Sequence, residues 1–153
     1  MQCSCEADRS PKHEIVRCHD QRKPNLTESR LKLHLTIIVA EDVGEIRDFV
    51  CLFLETAGYL VLPAANGQAA LQVASDFGGP IDLLLADLDT PGGSGLELAK
   101  TLLKVYPRIR VLLMSAAYEP STAQILGEAA NRLFLPKPFS RQELLQTVKD
   151  TLS

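Results

Sequence analysis

IDLLLADLDTPGGSG, residues 81–95, decides the fold. The run Ile81 to Ala86 is apolar except for Asp82 and is the most apolar stretch in the chain. It leads without interruption into Asp87. Beyond that acid, Pro91, Gly92, Gly93 and Gly95 prevent strand or helix from simply continuing. A short apolar run closed in this way reads as a strand buried on both faces of a parallel sheet, with Asp87 at its carboxyl end.

Working outward, the same unit repeats. Leu35 to Ala40 is a β-branched-rich run ending in Glu41-Asp42, and Leu31 and Leu33 extend its pattern. Ile46, Phe49, Val50, Phe53 and Leu54 recur at helical spacing, and Gly58 stops that helix. Tyr59 to Ala64 reads as a second strand, and Gly67 to Phe77 as a helix broken by Gly78, Gly79 and Pro80. On the other side of residues 81–95, a helix is predicted from Leu96 to Tyr106, ended by Pro107. Ile109 to Met114 reads as strand four, Ser121 to Ala129 as a helix, and Leu133 to Leu135 as a short fifth strand. Ser140 with Glu143 forms a capping-box pattern at the start of the last helix. Five strands alternating with five helices predict an α/β fold, a doubly wound parallel sheet with helices on both faces.

Bulk properties narrow the function classes. The chain has 153 residues, 46% hydrophobic and 23% charged, which suits one domain and a short extra segment. No run of eighteen apolar residues is present and the first 33 residues are polar, so neither a membrane span nor a secretory leader is expected. The expected compartment is the cytoplasm. Residues 1–34 are slightly basic while the remainder is acidic, within a net charge of −3. An acidic body argues against direct nucleic-acid binding. Residues 1–34 are expected to be a disordered extension, and residues 35–153 the folded domain.

Three of the four cysteines (Cys3, Cys5, Cys18) lie in that extension, and Cys51 stands alone in an apolar stretch; this is no disulfide framework. Cys3, Cys5, His13, Cys18 and His19 match no standard zinc spacing. His13, His19 and His34 are the three histidines, so residues 35–153 contain no imidazole for triad chemistry.

In a doubly wound sheet the working site lies outside the carboxyl ends of the strands. Strand one ends in Glu41-Asp42, strand three in Asp87 with Asp89 behind it, strand four in Ser115, and strand five near Lys137. Gathered together, three carboxylates repel one another by roughly 4 kcal/mol per pair at about 4 Å and an effective dielectric near 20. Such a cluster calls for a cation, and ligands that are all oxygen select a hard one such as Mg²⁺. Asp87 could then attack phosphorus as a nucleophile, with Lys137 and the Ser115 hydroxyl sharing the charge of the transferred group.

The segments IIVAEDVGEIR, DLLLADLDTPGGSGLEL, VLLMSA and LPKPF, in that order, make the sequence resemble the receiver domains of two-component response regulators and hybrid histidine kinases, over about Leu35 to Leu152. The resemblance implies a flavodoxin-like sheet of strand order 2-1-3-4-5. It also implies that Glu41 and Asp42 organise magnesium, with Asp87 as phosphoacceptor and the Asp89 backbone carbonyl completing the metal site. Ser115 would be the conserved-type hydroxyl and Lys137 the phosphate-binding lysine, followed by Pro138 in a cis peptide that aims Lys137 inward. In the family the hydroxyl residue and an aromatic on strand five form the switch, positions held here by Ser115 and Phe134, and the fourth helix, fifth strand and fifth helix form the readout face. The implied partners are a histidine kinase or histidine-containing phosphotransfer protein and a downstream protein, with no nucleic acid and no membrane; homodimerisation is left open.

Two positions depart from the family pattern. Thr90 stands where a methionine is usual, and Gly93 replaces a bulky residue; both bear on loop stiffness. Asp89 occupies a position through which the family tunes loss of the phosphoryl group. Two other readings compete. LLLADLDTP also resembles the nucleophile motif of haloacid-dehalogenase-type phosphatases, but that family opens with the motif and needs a further acid pair downstream, which is missing here. A degenerate receiver that binds partners without phosphorylation is the other alternative.

Overall fold

The computed structural model describes residues 34–90, 95–116 and 134–153. The extension 1–33 with Cys3, Cys5, Cys18, His13 and His19, the loop residues Pro91, Gly92 and Gly93, and the expected helix at Ser121–Ala129 lie outside the described residues. The elements are β1 (Thr36–Ala40), α1 (Gly44–Thr56), β2 (Leu60–Ala64), α2 (Gly67–Phe77), β3 (Leu83–Asp87), α3 (Gly95–Val105), β4 (Arg110–Ser115), β5 (Phe134–Pro136) and α4 (Arg141–Leu152).

All four strand pairs are parallel and the sheet order is β2-β1-β3-β4-β5. This is the doubly wound sheet expected from the alternation. Alternate residues of each central strand serve opposite faces. Ile38, Ala40, Leu84, Ala86, Val111 and Leu113 pack against Ala70 and Ala74 of α2 and Leu98, Ala99 and Leu102 of α3. Ile37, Val39, Leu83, Leu85, Leu112 and Met114 pack against Val50, Cys51 and Leu54 of α1 and Leu144 and Val148 of α4. Each buried leucine or isoleucine stabilises the sheet by about 1.5–3 kcal/mol relative to exposure. That is why the central strands read as uninterrupted apolar runs.

The element ends differ from expectation in small, explicable ways. β3 begins at Leu83 rather than Ile81. At its start the Asp82 carboxylate accepts the Thr36 N–H at 2.7 Å, while the Asp82 N–H donates to the Thr36 carbonyl at 2.9 Å. A side chain thus occupies the place a strand carbonyl would take. At the other end β3 includes Asp87, which is paired with Met114. β1 begins at Thr36, and Leu35 is exposed.

On α1 the buried residues are Val50, Cys51 and Leu54, whereas Phe49 is 60% exposed despite its helical spacing from Phe53. Gly58 takes φ +97° just past α1, a conformation that disfavours any residue with a Cβ. Ser140 caps α4 as its sequence pattern indicates: its hydroxyl accepts the Glu143 N–H, and the Glu143 carboxylate accepts the Ser140 N–H.

Candidate functional site

The sheet order places the carboxyl ends of β1, β3, β4 and β5 side by side, and each delivers one chemically active residue there. Glu41 follows β1, Asp87 ends β3, Ser115 ends β4 and Lys137 follows β5. Glu41 is fully buried, Asp87 and Ser115 are each 4% exposed, and Asp42 is exposed. Burial is imposed by the register. β1 and β3 are flanked by neighbours on both sides, so their last residues remain inside the sheet's rim.

The Lys137 ammonium joins the cluster. Its Nζ donates to Glu41 Oε2 at 3.0 Å and to Asp87 Oδ2 at 2.9 Å. The other Glu41 oxygen accepts the Val43 N–H at 3.1 Å, and the other Asp87 oxygen accepts the Asp89 N–H at 2.9 Å. Carboxylate oxygens of Glu41, Asp42 and Asp87 all lie within 4.8 Å of one another. Burial pushes the Glu41 carboxyl above its ordinary range, with Asp42 and Asp87 adding to the rise against the lowering by Lys137 and the Val43 N–H. For Lys137 burial acts downward, but the Asp87 and Glu41 carboxylates outweigh it and the ammonium is held above its usual value.

Charge counting then defines what the site would attract. Three carboxylates and one ammonium leave a formal charge near −2, concentrated within a few ångströms. The donor set is all oxygen, which fits a hard divalent cation and excludes a soft-metal site of the zinc–thiolate kind. Glu41, Asp42 and Asp87 are the side chains that could hold it.

The surrounding backbone fixes these groups. The Lys137–Pro138 peptide is cis, as the family pattern implies. The Lys137 N–H donates to the Ser115 carbonyl at 2.9 Å, which ties β5 to β4 at the site. Phe134 is half-buried on β5 and packs against the α2–α3 side of the core. Thr90, in the loop, donates its hydroxyl to the Asp87 carbonyl at 3.2 Å, so this departure from the family pattern steadies the loop where it leaves the strand.

Three contacts at the site were not anticipated from sequence. Arg47 donates to the Glu41 carbonyl at 2.8 Å from α1. Gly95 opens α3 so close to Asp87 that an added Cβ would lie 2.7 Å from the Asp87 carbonyl oxygen. Asp89 accepts the Ala116 N–H through its carboxylate at 3.3 Å. Asp89 was named from sequence for its backbone carbonyl but not for this side-chain contact, and Gly95 stood out only as the last glycine of a Gly-rich loop. Beside the cluster, Ile46, Phe49, Phe53, Ala116, Lys137, Pro138 and Phe139 line an apolar groove of about 440 Å³.

Known proteins share this sequence pattern and fold. The family model of the response regulator receiver domain matches residues 37–149. The chain is 35% identical over 117 residues to the sensor kinase CckA of Brucella abortus (strain 2308), covering 76% of this chain and 12% of that protein. It is 31% identical over 116 residues to the sporulation initiation phosphotransferase F of Bacillus subtilis (strain 168), covering 76% of this chain and 92% of that one. The chain spans 24% of a transcriptional regulator NtrC from Azospirillum brasilense and 51% of a phosphate regulon regulatory protein PhoB from Pseudomonas aeruginosa, so these relatives extend well beyond the matched part. Among solved structures, the chemotaxis protein CheY4 of Vibrio cholerae superimposes with a TM-score of 0.69 at 28% identity, covering 78% of this chain and 99% of that one. The receiver domain of the hybrid histidine kinase CckA gives a TM-score of 0.61 at 29% identity, over 77% of this chain and 99% of that one.

Proposed function

The chain belongs to the response regulator receiver domain family of two-component signalling, and on that premise we propose that Asp87 is its phosphoacceptor. The observation that supports this is the buried triangle of Glu41, Asp87 and Lys137, with the exposed Asp42 alongside. An Asp87 carboxylate oxygen attacks the phosphorus of the donor. The new O–P bond forms as the donor's P–N or P–O bond breaks, and the leaving imidazole or carboxylate takes the electron pair.

Lys137, which holds Asp87 Oδ2 in the unmodified protein, turns its ammonium to an oxygen of the incoming group. The Ser115 hydroxyl, at the end of β4, donates to another. Glu41, Asp42 and Asp87 would hold Mg²⁺, with the Asp89 backbone carbonyl. Bound there, the cation offsets the repulsion between the phosphoryl oxygens and the carboxylates.

An aspartyl phosphate adds charge and three acceptor oxygens. Ser115 then moves toward it, and Phe134 turns into the space behind. The readout is carried by the face around β5 and α4, which a downstream protein recognises. The phosphodonor is a histidine kinase or histidine-containing phosphotransfer protein. The apolar groove that includes Lys137 offers such a donor a surface to rest on beside the site. Modification occurs once per chain, so the protein works as a signalling switch and turns over no external substrate. Among the described residues no helix is long and apolar enough to cross a membrane. We place the domain in the cytoplasm, where the donors of this family present their phosphohistidines.

Incubation with acetyl phosphate and Mg²⁺, followed by intact mass measurement, tests the reading. One phosphoryl adduct is expected on the wild type and none on Asp87→Ala or in the absence of Mg²⁺. A folded wild-type protein that gains no adduct would sink the phosphoacceptor reading and leave a binding module.

A further inference from the structure

Arg47 reaches back over the start of α1. Side chains on a helix lean toward its N-terminus, so the half-buried Arg47, one turn into α1, is aimed at the junction with β1. Its Nη1 donates to the Glu41 carbonyl at 2.8 Å, while its own N–H donates to the Val43 carbonyl at 2.9 Å. The Glu41 carbonyl belongs to the peptide that joins Glu41 to Asp42. That peptide is planar, so holding its oxygen orients the whole unit as far as the Asp42 Cα. The residue that opens α1, Val43, has a side chain that accepts no capping hydrogen bond, and the junction depends on bonds such as this one.

The three carboxylates of the cluster are held differently. Glu41 and Asp87 are each bonded through their carboxylates to Lys137, whereas Asp42 is exposed and takes its direction from the backbone that carries it. We propose that Arg47 is a positioning residue for the divalent cation: it fixes the peptide between Glu41 and Asp42 and so aims the Asp42 carboxylate at the same point as Glu41 and Asp87. This inference rests on the reading of these three carboxylates as the Mg²⁺ site. Arg47 touches neither the cation nor the reacting atoms. Its two effects on the site have opposite signs. As a positive charge beside two of the carboxylates it repels a cation, so by its field alone its removal would tighten Mg²⁺ binding. As the holder of the Glu41 carbonyl it preorganises the ligands, so by position its removal weakens binding.

Wild type, Arg47→Met and Arg47→Lys would be titrated with Mg²⁺ at low and high salt, with the Asp42 and Val43 amides followed by NMR. Urea unfolding in EDTA would run beside the titrations, because a merely structural bond would lower stability and leave the Mg²⁺ dissociation constant unchanged. Arg47→Met should raise that constant roughly tenfold, the low end of what a group behind the metal ligands contributes. The loss should persist at high salt, where an effect of charge is screened. Arg47→Lys, which keeps the charge and one shorter donor, should lie between the two and serves alone where the methionine variant does not fold. A dissociation constant at or below the wild-type value in either folded variant, or a loss that vanishes at high salt, would overturn this inference alone. A wild type whose amides do not respond to Mg²⁺ overturns the cation site, and this inference with it. Labelling with acetyl phosphate tests Asp87 separately.

Discussion

Replacing Lys137 with methionine keeps most of the apolar stem and deletes the ammonium that lies 3.0 Å from Glu41 and 2.9 Å from Asp87. Both carboxylates are then left without their cation, Glu41 fully buried and Asp87 at 4% exposure. Removing one partner of a buried pair costs about 3–5 kcal/mol, because the remaining charge stays desolvated. The Lys137 side chain retains 18% exposure, so water already screens part of the interaction and the lower end, about 3 kcal/mol, is expected at neutral pH.

The deficit should depend on pH in a definite direction. Glu41 has a folded-state value raised above its ordinary 4.5, chiefly by burial, and losing the ammonium raises it further. A carboxyl raised on folding binds a proton in the native state before the unfolded chain does. Stability is therefore regained as pH falls from the raised value toward 4.5. Lys137 in the wild type is raised too, so its contribution is lost only as the pH rises beyond 10.5, well outside this window.

Equilibrium urea unfolding of both proteins in EDTA, near neutral pH and again near pH 5, measures this directly. Added Mg²⁺ should restore part of the deficit at neutral pH by replacing the missing positive charge. A loss below about 1 kcal/mol, or the same loss at both pH values, would refute the reasoning and show the ammonium to be a solvent-screened surface bridge.

Asp42→Asn removes the exposed carboxylate of the cluster and should abolish most of the thermal stabilisation that Mg²⁺ gives the wild type, about 1.4 kcal/mol at ten times the dissociation constant; a melting series against Mg²⁺ checks it. Gly95→Ala forces a Cβ to within 2.7 Å of the Asp87 carbonyl oxygen and should cost about 2 kcal/mol in urea unfolding, with slower acetyl-phosphate labelling because the Asp87 backbone must shift. Burial pushes the Cys51 thiol up to about 11 from 9.0. At mildly alkaline pH its alkylation, followed by peptide mass mapping, should run about a hundredfold slower in the folded protein than in the urea-unfolded chain.

Much of this could be read along the chain. The strands of a doubly wound sheet are buried on both faces, so Leu83, Leu84, Leu85 and Ala86 had to form an apolar run, and the acid that ended it had to lie at the rim. Helix ends written in local chemistry, such as Ser140 with Glu143, were equally plain because their partners are three residues apart. Phe49 misleads for a related reason. Helical spacing identifies an apolar face but not how much of that face a neighbour covers, and Phe49 borders the open groove.

Residue order and residue type alone determined the alternating α/β pattern, the placement of Glu41, Asp42, Asp87, Ser115 and Lys137 at strand ends, and the resemblance built on those segments. The tertiary structure decided which of these groups touch. Lys137 lies 96 residues from Glu41 and 50 from Asp87, and no local pattern states that one ammonium serves both. Asp89 on Ala116, 27 residues away, is set by the β3–β4 register, and the Gly95 contact by how tightly α3 turns back over Asp87. Periodicity reports burial one element at a time, whereas charge pairing at a site depends on which strands become neighbours and in what register.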